Sequence, residues 1–264
     1  MKKIILIILI FISIVCTLIA YVAYHYYAPP RLREPYHIKK PDDTLRIAYI
    51  GDSWASMHKD HDYQLAKLLE NSLHRPVNVH SYGTCGLTSK EIYENLFDNA
   101  DFISFLQKRS YKYCYISAGI NDTYKKMSTS YYQQSMDGII QFFLTNNIRP
   151  IILEIPDYDI QKAYYNQKTN RKMLRKISMF LNNTSLDCKQ QFRDALDELV
   201  NTKGYHNEIS IVRYKTWNNN YQNDLQQLYV SDGMHLNDKG YETLDSVIAN
   251  EILTIERSNV PQKE

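Results

Sequence analysis

Short apolar runs that alternate with helical stretches constrain this chain more than any other feature. Residues 45–50 form one such run and end at Gly51; residues 77–81 run toward Gly83; residues 113–117 toward Gly119; residues 150–155 end at Pro156; residues 209–214 form the fifth. Between them lie helical candidates at 62–73, 89–106, 131–146 and 172–202. A last helix is expected at 238–256, where Leu244, Val247, Ile248 and Ile252 recur at helical spacing. Strand, helix, strand, repeated, predicts an α/β fold with a five-stranded parallel sheet covered on both faces. There is no internal repeat and no low-complexity tract. In such sheets ligands gather at the carboxyl ends of the strands, so chemistry is sought there.

Four motifs stand at those places. Gly51-Asp52-Ser53-Trp54 follows the first strand, Gly83-Thr84-Cys85-Gly86 the second and Gly119-Ile120-Asn121-Asp122 the third, while Asp232-Gly233-Met234-His235 precedes the last helix. A serine hydroxyl needs a base to become a nucleophile. His235 can serve, and Asp232, three residues earlier, can fix its tautomer, as in a Ser-His-Asp triad met in another chain order. An oxyanion needs preorganised donors: the Ser53 backbone N–H, the Gly86 N–H and the Asn121 side-chain amide are the candidates.

Block by block, these motifs resemble the SGNH hydrolases, also called the GDSL esterase/lipase superfamily, through Ser53, Gly86, Asn121 and His235 with Asp232. The resemblance implies a flavodoxin-like three-layer α/β/α fold, ester hydrolysis through an acyl-serine intermediate, and no metal or other cofactor. Two departures stand out: Trp54 replaces the usual Leu of the first block, and Ser81 occupies a place where the second block often carries Asn.

The amino terminus sets the compartment. After Met1-Lys2-Lys3, residues 4–24 form an apolar run of 21 residues, about 31 Å as a helix, against about 30 Å for a bilayer core. An uncleaved signal anchor is the leading reading, and the positive-inside rule places Lys2 and Lys3 in the cytoplasm and the rest of the chain outside it. A cleaved signal, leaving a secreted protein, is the alternative, although Leu18 before Ala20 and Tyr21 before Ala23 fit cleavage sites poorly. Lipidation at Cys16 is a third reading. Tyr21, Tyr24, Tyr26 and Tyr27 suit an interfacial aromatic belt. The expected organisation is an anchor over 1–24, a tether over 25–43 that holds the domain off the membrane, and a hydrolase domain over 44–258.

Composition narrows the partners. Lys plus Arg number 31 and Asp plus Glu 29, a net charge of +2, which gives no concentrated basic face for nucleic acid. Of the three cysteines beyond the apolar run, Cys114 reads as a small core residue, and a Cys85–Cys188 bridge is open. Asp52 is expected to cap a helix and Asp122 to buttress the loop of Asn121. Trp54 and His58 are possible substrate contacts, with a packing role as the alternative for Trp54. His58, His61 and their acidic neighbours resemble metal ligands but read better as a polar loop, and no metal is expected. The 23 tyrosines offer sugar-stacking surfaces, though most belong to core or ordinary surface. The charged helix over 172–202 is expected to present a solvated face.

The function expected is a membrane-anchored ester hydrolase outside the cytoplasm that removes O-acetyl or short acyl groups from a polysaccharide. The alternatives are an O-acyltransferase with the same residues, a lipase or lysophospholipase, and a glycan-binding protein with an unused site. The oligomeric state is open.

Overall fold

The computed structural model describes residues 2–39 and 44–258. Helix α1 (Lys2–Tyr27) projects from the domain, with Lys2–Tyr24 unburied. The domain then runs β1 (Leu45–Gly51), α2 (Ser53–His58), α3 (Asp62–Leu73), β2 (Val77–Gly83), α4 (Ser89–Asp98), α5 (Ala100–Gln107), β3 (Tyr113–Ser117), α6 (Ile120–Lys125), α7 (Thr129–Thr145) and β4 (Arg149–Leu153). It continues with α8 (Ile160–Tyr165), α9 (Thr169–Leu181), α10 (Lys189–Lys203), β5 (Ser210–Val212), α11 (Tyr221–Leu228) and α12 (Asp238–Ser258).

The strands pair in the order β2-β1-β3-β4-β5, and every pairing is parallel. All residues of β3 are buried, as are all but Arg46 of β1, so both faces of the sheet are covered. Helices α3 and α12 pack together in one layer, and α4, α7 and α10 in the other. The chain leaves β1 for the edge strand β2 and returns past it to β3, which makes the β1/β3 boundary the topological switch point. Gly51 pairs with Ser117 across that boundary. A Cβ at Gly51 would collide with the Ser117 carbonyl, so only glycine lets the two strand ends close there.

The expected five-stranded parallel α/β sheet is therefore present. Two helices expected as single pieces are each divided. Asn99 stops α4 in extended conformation and its Oδ1 caps α5 by accepting from the Asp101 and Phe102 N–H groups, both at 3.1 Å. The helix expected over 172–202 breaks between α9 and α10, where Asn183 is left-handed at φ 50°. Tyr111, Tyr113, Tyr115, Tyr131, Tyr132 and Tyr164 are buried and offer no stacking surface, whereas Tyr165 is exposed. All four cysteines are free: Cys85 is exposed and Cys188 buried, so no bridge joins them.

The stretch after α1 is extended, but over its described length it is fastened to the domain. Lys90 Nζ donates to the Ala28 carbonyl at 2.9 Å, and the Arg33 N–H donates to the Tyr93 hydroxyl at 2.7 Å. The Arg33 guanidinium grips Asp98 through two bonds of 2.6 and 2.8 Å. Tyr36 packs edge-on against Phe97 and Phe142, and Ile38 joins the core. Residues 40–43, the rest of the expected tether, lie outside the described residues.

The buried Asn146 locks this strap: its Oδ1 accepts the Ile38 N–H at 2.7 Å while its Nδ2 donates to the Tyr36 carbonyl at 3.0 Å. Asn146→Ala strands both backbone groups and should cost about 1–3 kcal/mol. Urea unfolding measures the loss, and limited proteolysis should newly cut near residues 28–39.

Candidate active site

The site grows from the turn after β1. Asp52 is the N-cap of α2; its buried carboxylate accepts the Trp54 N–H at 3.0 Å. That cap sets Ser53 as the first residue of α2, facing out from the carboxyl edge of the sheet and nearly buried. Gly83 permits the turn, because a Cβ there would collide with the Asp52 carbonyl and the Ser56 amide.

His235 reaches Ser53 from the loop before α12: its Nε2 lies 2.9 Å from Ser53 Oγ. Its Nδ1 lies 2.6 Å from Asp232 Oδ2. Asp232 Oδ1 also accepts the backbone N–H groups of Met234 and His235, at 2.8 and 3.0 Å. Partial burial opposes charge on Asp232, but the bonds from His235 and Met234 outweigh it and hold the carboxyl below its usual range. An ionised carboxylate only accepts, so the proton sits on Nδ1 and Nε2 is free to accept the Ser53 hydroxyl.

The loop itself is braced by residues whose sequence carried no motif. Tyr221 donates its hydroxyl to the Gly233 carbonyl at 2.7 Å, Asp159 N–H to the same carbonyl at 3.2 Å, and Lys162 Nζ to the Ser231 carbonyl at 2.9 Å. Tyr229 and Leu236 close the loop as an antiparallel bridge.

Asn121 stands at the start of α6, and its Nδ2 donates to Asp52 Oδ2 at 3.1 Å. One amide proton is thereby engaged and the second remains to aim elsewhere. Burial pushes the Asp52 carboxyl up to about 7, against the bonds it receives. Asp122 takes the buttressing role expected of it. It accepts the Ser89 N–H at 2.8 Å and the Ser89 hydroxyl at 2.6 Å, tying α6 to the start of α4. Gly86 stands in the exposed turn after β2, left-handed at φ 83° with open space beside its Cα. The Thr84 N–H to Gly51 carbonyl bond, 3.2 Å, ties that turn to the serine loop. Among the described residues no hydrogen bond joins Gly86 to Ser53 or Asn121.

Two residues read as possible substrate contacts are placed otherwise. Trp54 is 0% exposed and packs edge-on against Trp217, their centroids 5.9 Å apart, so it fills core. His58 is also 0% exposed. Its Nε2 meets Asp245 Oδ1 at 2.6 Å, and its Nδ1 meets Asp62 Oδ1 at 3.1 Å and Ser81 Oγ at 3.0 Å. Neither side chain has surface to offer a substrate. Ser81, the departure in the second block, completes this cluster by bonding Asp62 through its hydroxyl and, at 2.9 Å, its N–H. No group of three or more metal-ligating side chains converges among the described residues.

The His58 cluster clamps α2 to α12. Ser53 begins α2 and His58 ends it; Asp245 sits in α12, about two turns from its start; and the Tyr241 hydroxyl donates to the Trp54 carbonyl at 3.2 Å. The clamp thus holds the helix that begins at Ser53 against the helix that follows His235.

No family model matches the sequence, and a search among curated proteins finds no relative. Among solved structures, the chain is similar to a family 3 carbohydrate esterase from Clostridium thermocellum. The identity is 14%, the TM-score 0.56, and the match covers 82% of this chain and 98% of that one. It is also similar to a variant of Axe2, an acetyl-xylooligosaccharide esterase from Geobacillus stearmophilus, at 15% identity and TM-score 0.53, over 79% and 94% of the two chains. A lipase/acylhydrolase from Enterococcus faecalis matches at 18% identity and TM-score 0.53, over 80% and 96%. The chain thus shares the fold of these hydrolases, the fold that the four sequence blocks lead one to expect.

Burial opposes charge on His58, yet Asp245 and Asp62 push its pKa up to about 9. A pKa raised above the unfolded value near 6.5 contributes stability in full below about pH 6.5, lost as pH rises through about 9. Urea unfolding from about pH 6 to about pH 9.5 should therefore lose on the order of 1–3 kcal/mol. Asp245→Asn should be less stable at pH 6 and show a flatter profile.

Proposed function

We propose that this protein is a serine ester hydrolase that removes acetyl or other short acyl groups from a carbohydrate. The observation that carries the chemistry is the continuous chain Ser53 Oγ, His235 Nε2, His235 Nδ1, Asp232 at 2.9 and 2.6 Å, on the carboxyl edge of a parallel sheet. Ser53 attacks the ester carbonyl while His235 takes its proton. The tetrahedral oxyanion draws on the Ser53 N–H, the Gly86 N–H and the free proton of the Asn121 amide. Collapse expels the alcohol, which His235 protonates, and leaves an acyl-serine. Water, deprotonated by His235, then releases the acid.

Two observations support a carbohydrate ester over a long-chain lipid. Two of the structural neighbours act, by their names, as carbohydrate esterases. The rim next to the serine turn is exposed and mainly polar, with Thr84, Cys85 and Gly86 on one side and Ser231 and Asp232 on the other. Such a rim suits a hydrated sugar better than an acyl chain.

Helix α1 supports a membrane location. Residues Lys2–Tyr24 are long and apolar enough to cross a membrane, and none of that span is buried against the domain. A membrane is what satisfies such a surface. The strap from Ala28 to Ile38 is fastened to the domain directly after α1, which supports an uncleaved anchor. With Lys2 and Lys3 inside, the catalytic domain lies outside the cytoplasm.

The test is acetate release from p-nitrophenyl acetate and acetylated polysaccharides by the full chain in detergent. Ser53→Ala should lower kcat by at least about 10³-fold with unchanged unfolding, and Asp232→Asn should also fall steeply. Activity that survives Ser53→Ala would exclude the serine as nucleophile. Acyl transfer to a glycan hydroxyl in excess over acetate release would replace the hydrolase reading with a transferase.

A further inference from the structure

Helix α9 carries its apolar stripe on the wrong side for a soluble domain. At about 100° per residue, Met173, Leu174, Ile177, Phe180 and Leu181 share an arc of about 120°. All are exposed, Phe180 at 86%, Leu181 at 70% and Met173 at 64%. The domain is met by the opposite, polar side. Arg175 donates to the Lys125 carbonyl at 3.2 Å and lies over the Tyr124 ring; Ser178 is buried; and Asn182, capping the helix, donates to the Lys126 carbonyl at 2.8 Å. An amphipathic helix in water turns its apolar stripe inward, so this one faces a medium other than water. A contiguous outward apolar patch of this kind marks an interaction surface.

Charge and position name the medium. Between Lys168 and Leu181 the chain carries Lys168, Arg171, Lys172, Arg175 and Lys176 and no acidic residue. That composition, an apolar stripe with a basic face, is what an interfacial helix on anionic lipid shows. The helix is also joined to the membrane anchor: Ser178 Oγ reaches the hydroxyl of Tyr27, the last residue of α1, at 3.5 Å. The membrane-length span ends at Tyr24. Tyr27 is three residues beyond, or about 4.5 Å along the helix axis. This places α9 at headgroup depth, where α1 leaves the hydrocarbon.

We propose that α9 lies flat in the outer interfacial layer of the membrane. Met173, Leu174, Ile177, Phe180 and Leu181 enter the acyl-chain boundary, and Arg171, Lys172 and Lys176 meet anionic headgroups. The proposal rests on α1 as the anchor, and the experiment separates the two. The full chain is reconstituted in vesicles of phosphatidylcholine and phosphatidylglycerol brominated high on the acyl chains. Two single variants are compared, Phe180→Trp in α9 and Ile10→Trp in α1; the native Trp54 and Trp217 are buried and supply a constant background. The Phe180→Trp signal should be quenched about twofold or more beyond that background, and less when phosphatidylglycerol is omitted. Quenching at Ile10→Trp alone overturns the proposal and leaves the anchor standing. Quenching at Phe180→Trp alone supports α9 on the membrane and refutes α1 as the span. A Phe180→Trp emission that is blue-shifted yet unquenched means that a second copy of the chain covers the stripe, which also overturns it.

Discussion

The buried carboxylate of Asp52 is the junction on which the site depends. It lies at the β1/β3 switch point, where the helix that begins at Ser53 and the loop of Asn121 converge. Its oxygens accept the Trp54 N–H, the Asn121 amide and, at 3.4 Å, the Ser117 hydroxyl. Three donors do not fully offset the loss of water, which is why its carboxyl is pushed up to about 7. A cheaper residue would cap α2 as well at a solvent-exposed turn. Here one group must also aim Asn121 and fasten β3, and a carboxylate has acceptor sites for all of them at once.

His58 shows the opposite balance. It is as deeply buried as Asp52, yet two carboxylates overcome desolvation and keep it charged. The outcome differs because its partners are ionic and bond both ring nitrogens. Ser53 and His235 are 182 residues apart in sequence, and no local spacing sets their distance. The His58–Asp245 contact and the Tyr241–Trp54 contact set it instead, by holding α12 on α2.

Much of this was legible in the sequence, for reasons that differ by element. Tyr113–Ser117 was readable to the residue because a strand buried on both faces must be a continuous apolar run between breakers. Asp62–Leu73 was readable because one helical face is apolar and the other is not. Ser53, Asp232 and His235 stood out by residue type at strand and loop ends, and the fold brings the three side chains together. The cap at Asn99 was not legible, since asparagine within a helical pattern signals a stop only through its own side-chain bond. His58 misled because histidine beside acids reads alike as an exposed ligand set and as a buried clamp, and only burial separates them. In helix α9 the charged Arg171 and Lys176 are exposed as expected, but the outward apolar stripe was not legible, because periodicity reveals that a stripe exists and not which way it turns.

That orientation bears on the substrate. Helix α6 begins beside Asn121, and its carboxyl end holds α9 through the Lys125 and Lys126 carbonyls. One short helix thus joins the proposed oxyanion donor to the proposed membrane face. On the proposed placement of α1 and α9 in the lipid, the domain would have two points of attachment and could not swivel freely about its strap. The strap, bonded to Tyr93, Asp98 and Asn146, removes the remaining slack. A hydrolase held in the proposed way would reach esters displayed within a short distance of the membrane surface. Its substrate class would then be set by what the membrane brings to it as much as by the polar rim around Ser53.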